Sequence, residues 1–358
     1  MFETSEWIDN QWIDKQKLNE IRQAAAAVSE RVTSVALLYG GTTGEREVSI
    51  ASGDNVRETL EDEGFTVVPI DTGEPDFLNK LCACEPDVAF IALHGKGGED
   101  GCIQGLLEIL NVPYTHSGVK ASALAMDKLL TKIIYQASGL DTAGFEVVRK
   151  EQFDKKADPA KADPSKADPA KIDSILNSSA LPCVVKPLCD GSSLGISIPK
   201  TRDELLVAID EGFKVGDVLL IEEFIAGVEV TIPVLGNDPD HLCALPVIEI
   251  VPKNEFYDYE SKYTEGGSKH IVPARITAGE MAACQAAALE AHRVLGCAGV
   301  SRTDIIVTDD STPCLIETNT VPGMTRTSLI PDSAKKAGIS PGELYRLLIH
   351  YALEPQIR

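Results

Sequence analysis

Apolar and polar positions along this chain of 358 residues switch between two periods, and the switches mark its elements. Ser34 to Tyr39 is a continuous apolar run closed by Gly40 and Gly41, the pattern of a buried parallel strand. Ile50 to Glu63 predicts a helix, Phe65 to Ile70 and Asp87 to Leu93 predict strands, and Cys102 to Leu110 a further helix. This succession describes a small doubly wound domain. Its functional loops are expected beyond the carboxyl ends of the strands, where Gly40-Gly41-Thr42-Thr43-Gly44-Glu45 and the glycine-rich stretch His94 to Gly101 fall. Ser122 to Ser138 reads as one long helix carrying Lys128. Strands follow at Phe145 to Arg149, Leu181 to Lys186, Ile196 to Ile198, Val218 to Phe224, Glu229 to Leu235 and Leu242 to Val251. Helices are predicted at Thr201 to Glu211, with Thr201 as cap and Glu204 closing a capping box, and at Ala278 to Leu295.

The pattern divides the chain into an α/β unit followed by two α+β units. Residues 1–33 form a polar, helix-prone extension, 34–116 the doubly wound parallel-sheet domain, 117–221 a small central unit, and 222–358 a larger C-terminal one. Within the central unit a Lys-Ala-Asp-Pro repeat occupies 156–171. Its prolines block regular ladders and its charges balance, so it predicts an exposed insertion.

Composition narrows the classes. A formal charge of -22, with no basic block to neutralise phosphates, disfavours a nucleic-acid partner. No apolar run approaches a membrane span, and the acidic first residues lack the basic region of a secretory leader. The nine cysteines form no C-x-x-C pair, so reduced thiols in a cytoplasmic protein are expected.

The sharpest chemical signal is near the C-terminus. Ser301 to Val307 and Cys314 to Thr320 read as strands around a turn at Asp309 to Pro313. Folding the chain symmetrically about Asp310 and Ser311 sets Asp304 opposite Glu317. Strand period two adds Asn319 and Arg302 to that face. Two carboxylates and an amide oxygen suit Mg²⁺, which takes one or two carboxylates and completes its shell with nucleotide phosphate and water. The same residues also fit a solvated acidic hairpin. Gly191-Ser192-Ser193-Leu194-Gly195 lies between strands, which excludes a Walker A loop but allows a hairpin that covers phosphates, with Lys186 placed beside them. Gly40 to Gly44 lacks the spacing of a nicotinamide site.

Together these stretches resemble D-alanine–D-alanine ligases of the ATP-grasp superfamily. The resemblance runs through Gly40 to Ser49, His94 to Gly101, Ser117 to Lys128, Val185 to Ile196, Tyr257 to Tyr263 and Glu317 to Thr325. It implies a three-domain ATP-grasp fold and ATP-dependent joining of two D-alanines through an acyl phosphate, for peptidoglycan precursor synthesis. By resemblance, Lys128, Lys186 and Ser193 hold ATP phosphates, and Glu222, Ile225 and Glu229 line the adenosine pocket. Asp304, Glu317 and Asn319 match the ligands of two Mg²⁺ or Mn²⁺ ions. Glu45 is similar to the group receiving the first substrate's ammonium, with Ser192 and Tyr263 as hydrogen-bonding partners and His94 near its carboxylate. Arg302 and the Gly323 N–H match the oxyanion donors. Lys262, Ser328 and Leu329 match contacts to the second D-alanine. A homodimer is implied. Tyr263 favours D-alanine as second substrate over D-lactate or D-serine. A rival of another class is a non-catalytic nucleotide-binding regulator. Three features depart from the family: Asp190 where glutamate is common, the N-terminal extension with Trp7 and Trp12, and the repeat.

Overall fold

The computed structural model describes residues 13–153, 180–188, 195–252 and 268–354. Helix α1 (Lys15–Ala27) opens on Asp14, whose carboxylate accepts from the Lys17 N–H at 2.8 Å. The first sheet holds β1 (Ser34–Tyr39), β2 (Thr66–Asp71) and β3 (Val88–Ile91) in parallel order β2-β1-β3. Helices α2 (Arg46–Asp62), α3 (Phe77–Cys84) and α4 (Cys102–Ile109) flank it. The apolar run of β1 serves two cores at once, because successive side chains face opposite ways. Val35 and Leu37 pack with Leu60 of α2, while Ala36 and Leu38 pack with Leu81 of α3 and Leu107 of α4.

The helix expected over Ser122 to Ser138 is two: α5 (Val119–Met126) and α6 (Lys128–Ala137). The break is Asp127, extended at φ −89°, ψ 100°, whose carboxylate accepts from the N–H groups of Leu129 and Leu130. An aspartate that can cap competes with helix continuation. Lys128 therefore stands at the first position of a helix rather than within one.

Next come β4 (Phe145–Arg149), the short α7 (Lys150–Phe153), β5 (Cys183–Pro187), α8 (Arg202–Val215) and β6 (Val218–Glu223). The three strands form an antiparallel sheet ordered β4-β6-β5, with Val148, Val185 and Leu219 packed against Leu205 and Ile209 of α8. Ile196 to Ile198 is not a full strand; Ser197 alone bridges Val185. Thr201 caps α8, but the Glu204 carboxylate accepts from the Lys200 N–H at 2.7 Å, so the expected box closes one residue early. The repeat at 156–171, Trp7, Trp12 and Asp190 lie outside the described residues.

The largest sheet contains β7 (Val228–Leu235), β8 (Cys243–Ala244), β9 (Ile248–Pro252), β10 (Ser268–Ile271), β11 (Val300–Val307) and β12 (Pro313–Asn319). Its order is β10-β9-β7-β11-β12, with β8 beside β7. The single strand expected over Leu242 to Val251 is split into β8 and β9; Pro246 lies between them and has no N–H for a ladder. Helix α9 (Ala278–Leu295) covers the sheet, starting at a complete Thr277/Glu280 capping box and ending at Gly296 with φ 72°. Two further helices, α10 (Leu329–Lys336) and α11 (Pro341–Leu353), return the chain to the first domain. There Leu344 and Leu348 of α11 share a core with Ile21 and Ala25 of α1 and with Val35. The described part of the extension, residues 13–33, is thus built into the body.

Candidate active site

The β11–β12 hairpin pairs Asp304 with Glu317 and Arg302 with Asn319. The turn alone would not give this register. Nearer the turn Ile305 pairs with Leu315 and Val307 with Pro313, and a bulge between Asp304 and Ile305 inserts the extra residue that restores the pairing. Arg302 clasps Asp304 with two bonds, Nε to Oδ1 at 3.0 Å and the terminal nitrogen to Oδ2 at 2.9 Å. From the other side, the buried Thr231 of β7 donates its hydroxyl to Asp304 Oδ1 at 2.5 Å. Across the hairpin, Lys128 Nζ lies 3.7 Å from Glu317 Oε2. Asn319 Oδ1 accepts from the Val321 N–H at 2.9 Å. Lys128, Glu317 and Asn319 line one pocket together with Glu99 from the first domain. Among the described residues no three His, Cys, Asp or Glu groups converge as a metal cluster. The donor set counts two carboxylates and an amide, all hard oxygens, so it fits Mg²⁺ or Mn²⁺ and gives no soft ligand for zinc.

A second charged locus lies on the small sheet. Glu222, at the end of β6, is buried, and its Oε2 is 2.9 Å from Lys186 Nζ. Lys132 Nζ is 3.3 Å from the other oxygen. Ile225 lies half-buried in the link between β6 and β7, and Glu229 on β7 pairs with Ile306.

The third locus joins the first domain to the loop after β12. Glu45 is buried at the start of α2, against Gly95; a side chain at Gly95 would strike its carboxylate. His94 Nε2 meets Ser52 Oγ at 3.1 Å and its Nδ1 stands 3.6 Å from Glu99. Ser52 also accepts from the Met324 N–H at 3.3 Å, and Asn55 donates to the Met324 carbonyl at 2.7 Å. Two side chains of α2 thereby fix the turn that carries Gly323. Ser328 accepts from the Thr325 N–H at 2.9 Å and begins α10. The Leu329 side chain is buried with Ile248 and Ile250, and its backbone N–H is among the first of the helix, which have no partner within the helix itself.

Ser192, Ser193, Lys262 and Tyr263 lie outside the described residues. The sequence reading did not single out Thr231, Glu99, Ser52 or Lys132. Lys132 carried the one usable signal, a spacing of four from Lys128 on the same helix face. Thr231 and Ser52 act through pairings distant in sequence, and Glu99 lies in the glycine-rich stretch five residues from His94.

Three sheets, with Lys128 facing the carboxylate hairpin and Lys186 on the small sheet beside it, define an ATP-grasp protein. Family models described as D-ala D-ala ligase N-terminus and C-terminus match residues 75–117 and 134–350. The D-alanine–D-alanine ligase of Halalkalibacterium halodurans is 45% identical over 89% of this chain and 99% of its own. That of Parvibaculum lavamentivorans is 44% identical over 89% and 97%. Among solved structures, the Bacillus anthracis D-alanine–D-alanine ligase superposes with a TM-score of 0.74 at 32% identity, covering 90% of this chain and 97% of that one. The same enzyme complexed with ATP gives 0.73 at 30%, over the same shares. The VanG D-Ala:D-Ser ligase of Enterococcus faecalis gives 0.73 at 28%, covering 90% and 100%. The chain belongs to the D-alanine–D-alanine ligase family.

Proposed function

We propose that this protein joins two D-alanines into D-alanyl-D-alanine at the expense of ATP, supplying peptidoglycan precursor synthesis in the cytoplasm as a homodimer. Family membership and the pairing of Asp304 with Glu317 beside Arg302 support the reading. A carboxylate is a poor electrophile, so ATP phosphorylates that of the first D-alanine. Lys128 and Lys186 hold the phosphates, Glu222, Ile225 and Glu229 receive the adenosine, and Ser193 belongs to the covering loop. Asp304, Glu317 and Asn319 would hold two Mg²⁺ or Mn²⁺ ions, whose charge lowers repulsion between phosphate and carboxylate.

Glu45 takes the first substrate's ammonium, with Ser192 and Tyr263 closing over it, and His94 faces its carboxylate. The amine of the second D-alanine attacks the acyl phosphate. Arg302 and the Gly323 N–H donate to the oxygen that gains charge, an effect worth about 3–4 kcal/mol per donor. Ser328, the Leu329 N–H and Lys262 receive the second substrate's carboxylate, at a helix N-terminus that favours anions. Water would hydrolyse the acyl phosphate, so closure of the site is part of the chemistry.

The test is a product assay. Purified protein with ATP and Mg²⁺ is offered D-alanine alone or with D-lactate or D-serine, and products are weighed by mass spectrometry. D-alanyl-D-alanine with stoichiometric ADP is expected. A mixed ester or D-alanyl-D-serine as main product would reassign the second substrate. ATP binding without any ligation would favour the regulatory alternative.

A further inference from the structure

Lys132 lies one turn along α6 from Lys128, and it is 1% exposed. Protein groups surround its ammonium. Nζ donates to Thr142 Oγ1 at 2.7 Å and to the Ala143 carbonyl at 3.2 Å, and it lies 5.6 Å from the centre of the Phe145 ring. Thr142 in turn donates to the Leu315 carbonyl of β12 at 2.8 Å, which ties this tether to the hairpin. Burial lowers the Lys132 pKa, and Glu222 opposes that shift.

Glu222 is shared between two lysines. Its Oε2 pairs with Lys186 at 2.9 Å, whereas Oε1 lies 3.3 Å from Lys132 without accepting a hydrogen bond. Two of the three Lys132 protons go to Thr142 and Ala143, so its link to Glu222 is mainly one of charge. Two buried ammoniums around one buried carboxylate sum to a single positive excess. Such an excess is costly unless an anion meets it. The two buried lysines differ in placement. Lys132 is fixed from within the protein, while Lys186 stands near the end of β5, where the chain leaves the sheet toward the glycine-rich stretch.

We propose that Lys132 is a positioning residue of the nucleotide site, which keeps Glu222 in place and compensated when Lys186 turns from it to a nucleotide phosphate. The proposal rests on the nucleotide reading above. Without Lys132, Lys186 would have to leave a buried carboxylate uncompensated, and ATP binding would bear that cost. In the assignment above, neither amino-acid substrate is placed at these groups.

The experiment uses the full chain with Mg-ATP and D-alanine. Lys132→Met should raise the KM for ATP by about tenfold or more, since stranding a buried charge is costly. Its kcat and KM for D-alanine should stay within about twofold, since the loss is confined to one ligand's binding. In a Glu222→Gln background the same substitution should leave the KM for ATP unchanged, because a neutral amide needs no counter-charge. Thr142→Val, which loosens the tether without removing the lysine, should give the same split at about threefold and serves if Lys132→Met does not fold. A lysine that only supports the fold would instead lower the melting temperature, move all constants together and add its effect in both backgrounds; that outcome overturns the proposal. Wild-type protein that binds no ATP in titration calorimetry sinks the nucleotide reading as well. Wild-type binding with an unaltered KM for ATP in both variants sinks this proposal alone.

Discussion

At the scale of the residue, Asp304 and Glu317 face each other from adjacent strands but have different surroundings. Asp304 is buried, with both carboxylate oxygens engaged by Arg302 and one also by Thr231. Removing it would take from the half-buried Arg302 its two-bond carboxylate partner and leave the Thr231 hydroxyl with only its longer bond to the Thr303 carbonyl, so its loss would confuse folding with catalysis. Glu317 is about a fifth exposed, and its Lys128 contact of 3.7 Å is a loose ion pair, worth well under about 1 kcal/mol where water reaches it. Glu317→Ala is therefore the cleaner probe of the proposed metal site. It should abolish ADP release stimulated by D-alanine while its melting curve stays close to wild type. Normal turnover in that variant would remove the hairpin from the reaction.

At the scale of the element, the α5–α6 break turns a local preference into site geometry. Asp127 caps α6 through two backbone N–H groups, so it fixes the first turn, from which Lys128 reaches Glu317. Asp127→Ala should cost about 1 kcal/mol in urea unfolding. It should also raise the KM for ATP, since the lysine loses its fixed base; an unchanged KM beside the lost stability would detach Lys128 from the nucleotide. The break was not legible in sequence, because apolar spacing runs unbroken across it and outweighs a lone aspartate. The parallel strand at Ser34 to Tyr39 was legible, since glycines punctuate a β-branched and leucine-rich run. The facing of Asp304 and Glu317 was read correctly for an incomplete reason: symmetry about the turn ignores the bulge, and nothing about Ile316, the extra residue between Leu315 and Glu317, announces it. Thr231 and Ser52 were invisible because their partners lie 73 and 272 residues away. The closing of α11 and α1 over the first sheet was equally hidden, since helical apolar stripes do not name what they cover.

At the scale of the whole molecule, the first and last segments hold each other. Arg22 of α1 bonds the Gly338 carbonyl at 2.8 Å and Glu343 at 3.2 Å, and Tyr345 of α11 meets Met324 near the proposed oxyanion donor. The same joining of distant segments recurs at His292, which sits in α9 between β11 and the end of β7. Its Nδ1 is 2.8 Å from Ser301 Oγ and its Nε2 is 3.3 Å from the Gly236 carbonyl. A carbonyl only accepts, so Nε2 carries the proton and Nδ1 accepts from the serine hydroxyl. Burial lowers the His292 pKa to about 4 and that of His116 to about 3. An unfolded histidine titrates near 6.5, so between that value and the folded one the unfolded chain holds more protons, and stability falls as pH falls. The contribution is complete above about pH 6.5 and is lost on descent toward pH 4, by about 3 kcal/mol for a group shifted this far. Asp71, lowered to about 2 by its bond to Arg46, has the opposite chemistry and a lower window; its contribution is lost only below about pH 3.8. Urea unfolding from pH 7 to pH 5.5 therefore follows the histidines above the window of the carboxylates, such as Glu249, which is lowered from an ordinary value of 4.5. His292→Gln keeps a donor for the Gly236 carbonyl but takes up no proton. It should be less stable than wild type at pH 7, and the gap should close as the pH is lowered. A gap that stays constant across that range would show that His292 is protonated in the folded protein as readily as in the unfolded chain, and would dissolve the link between its burial and acid stability.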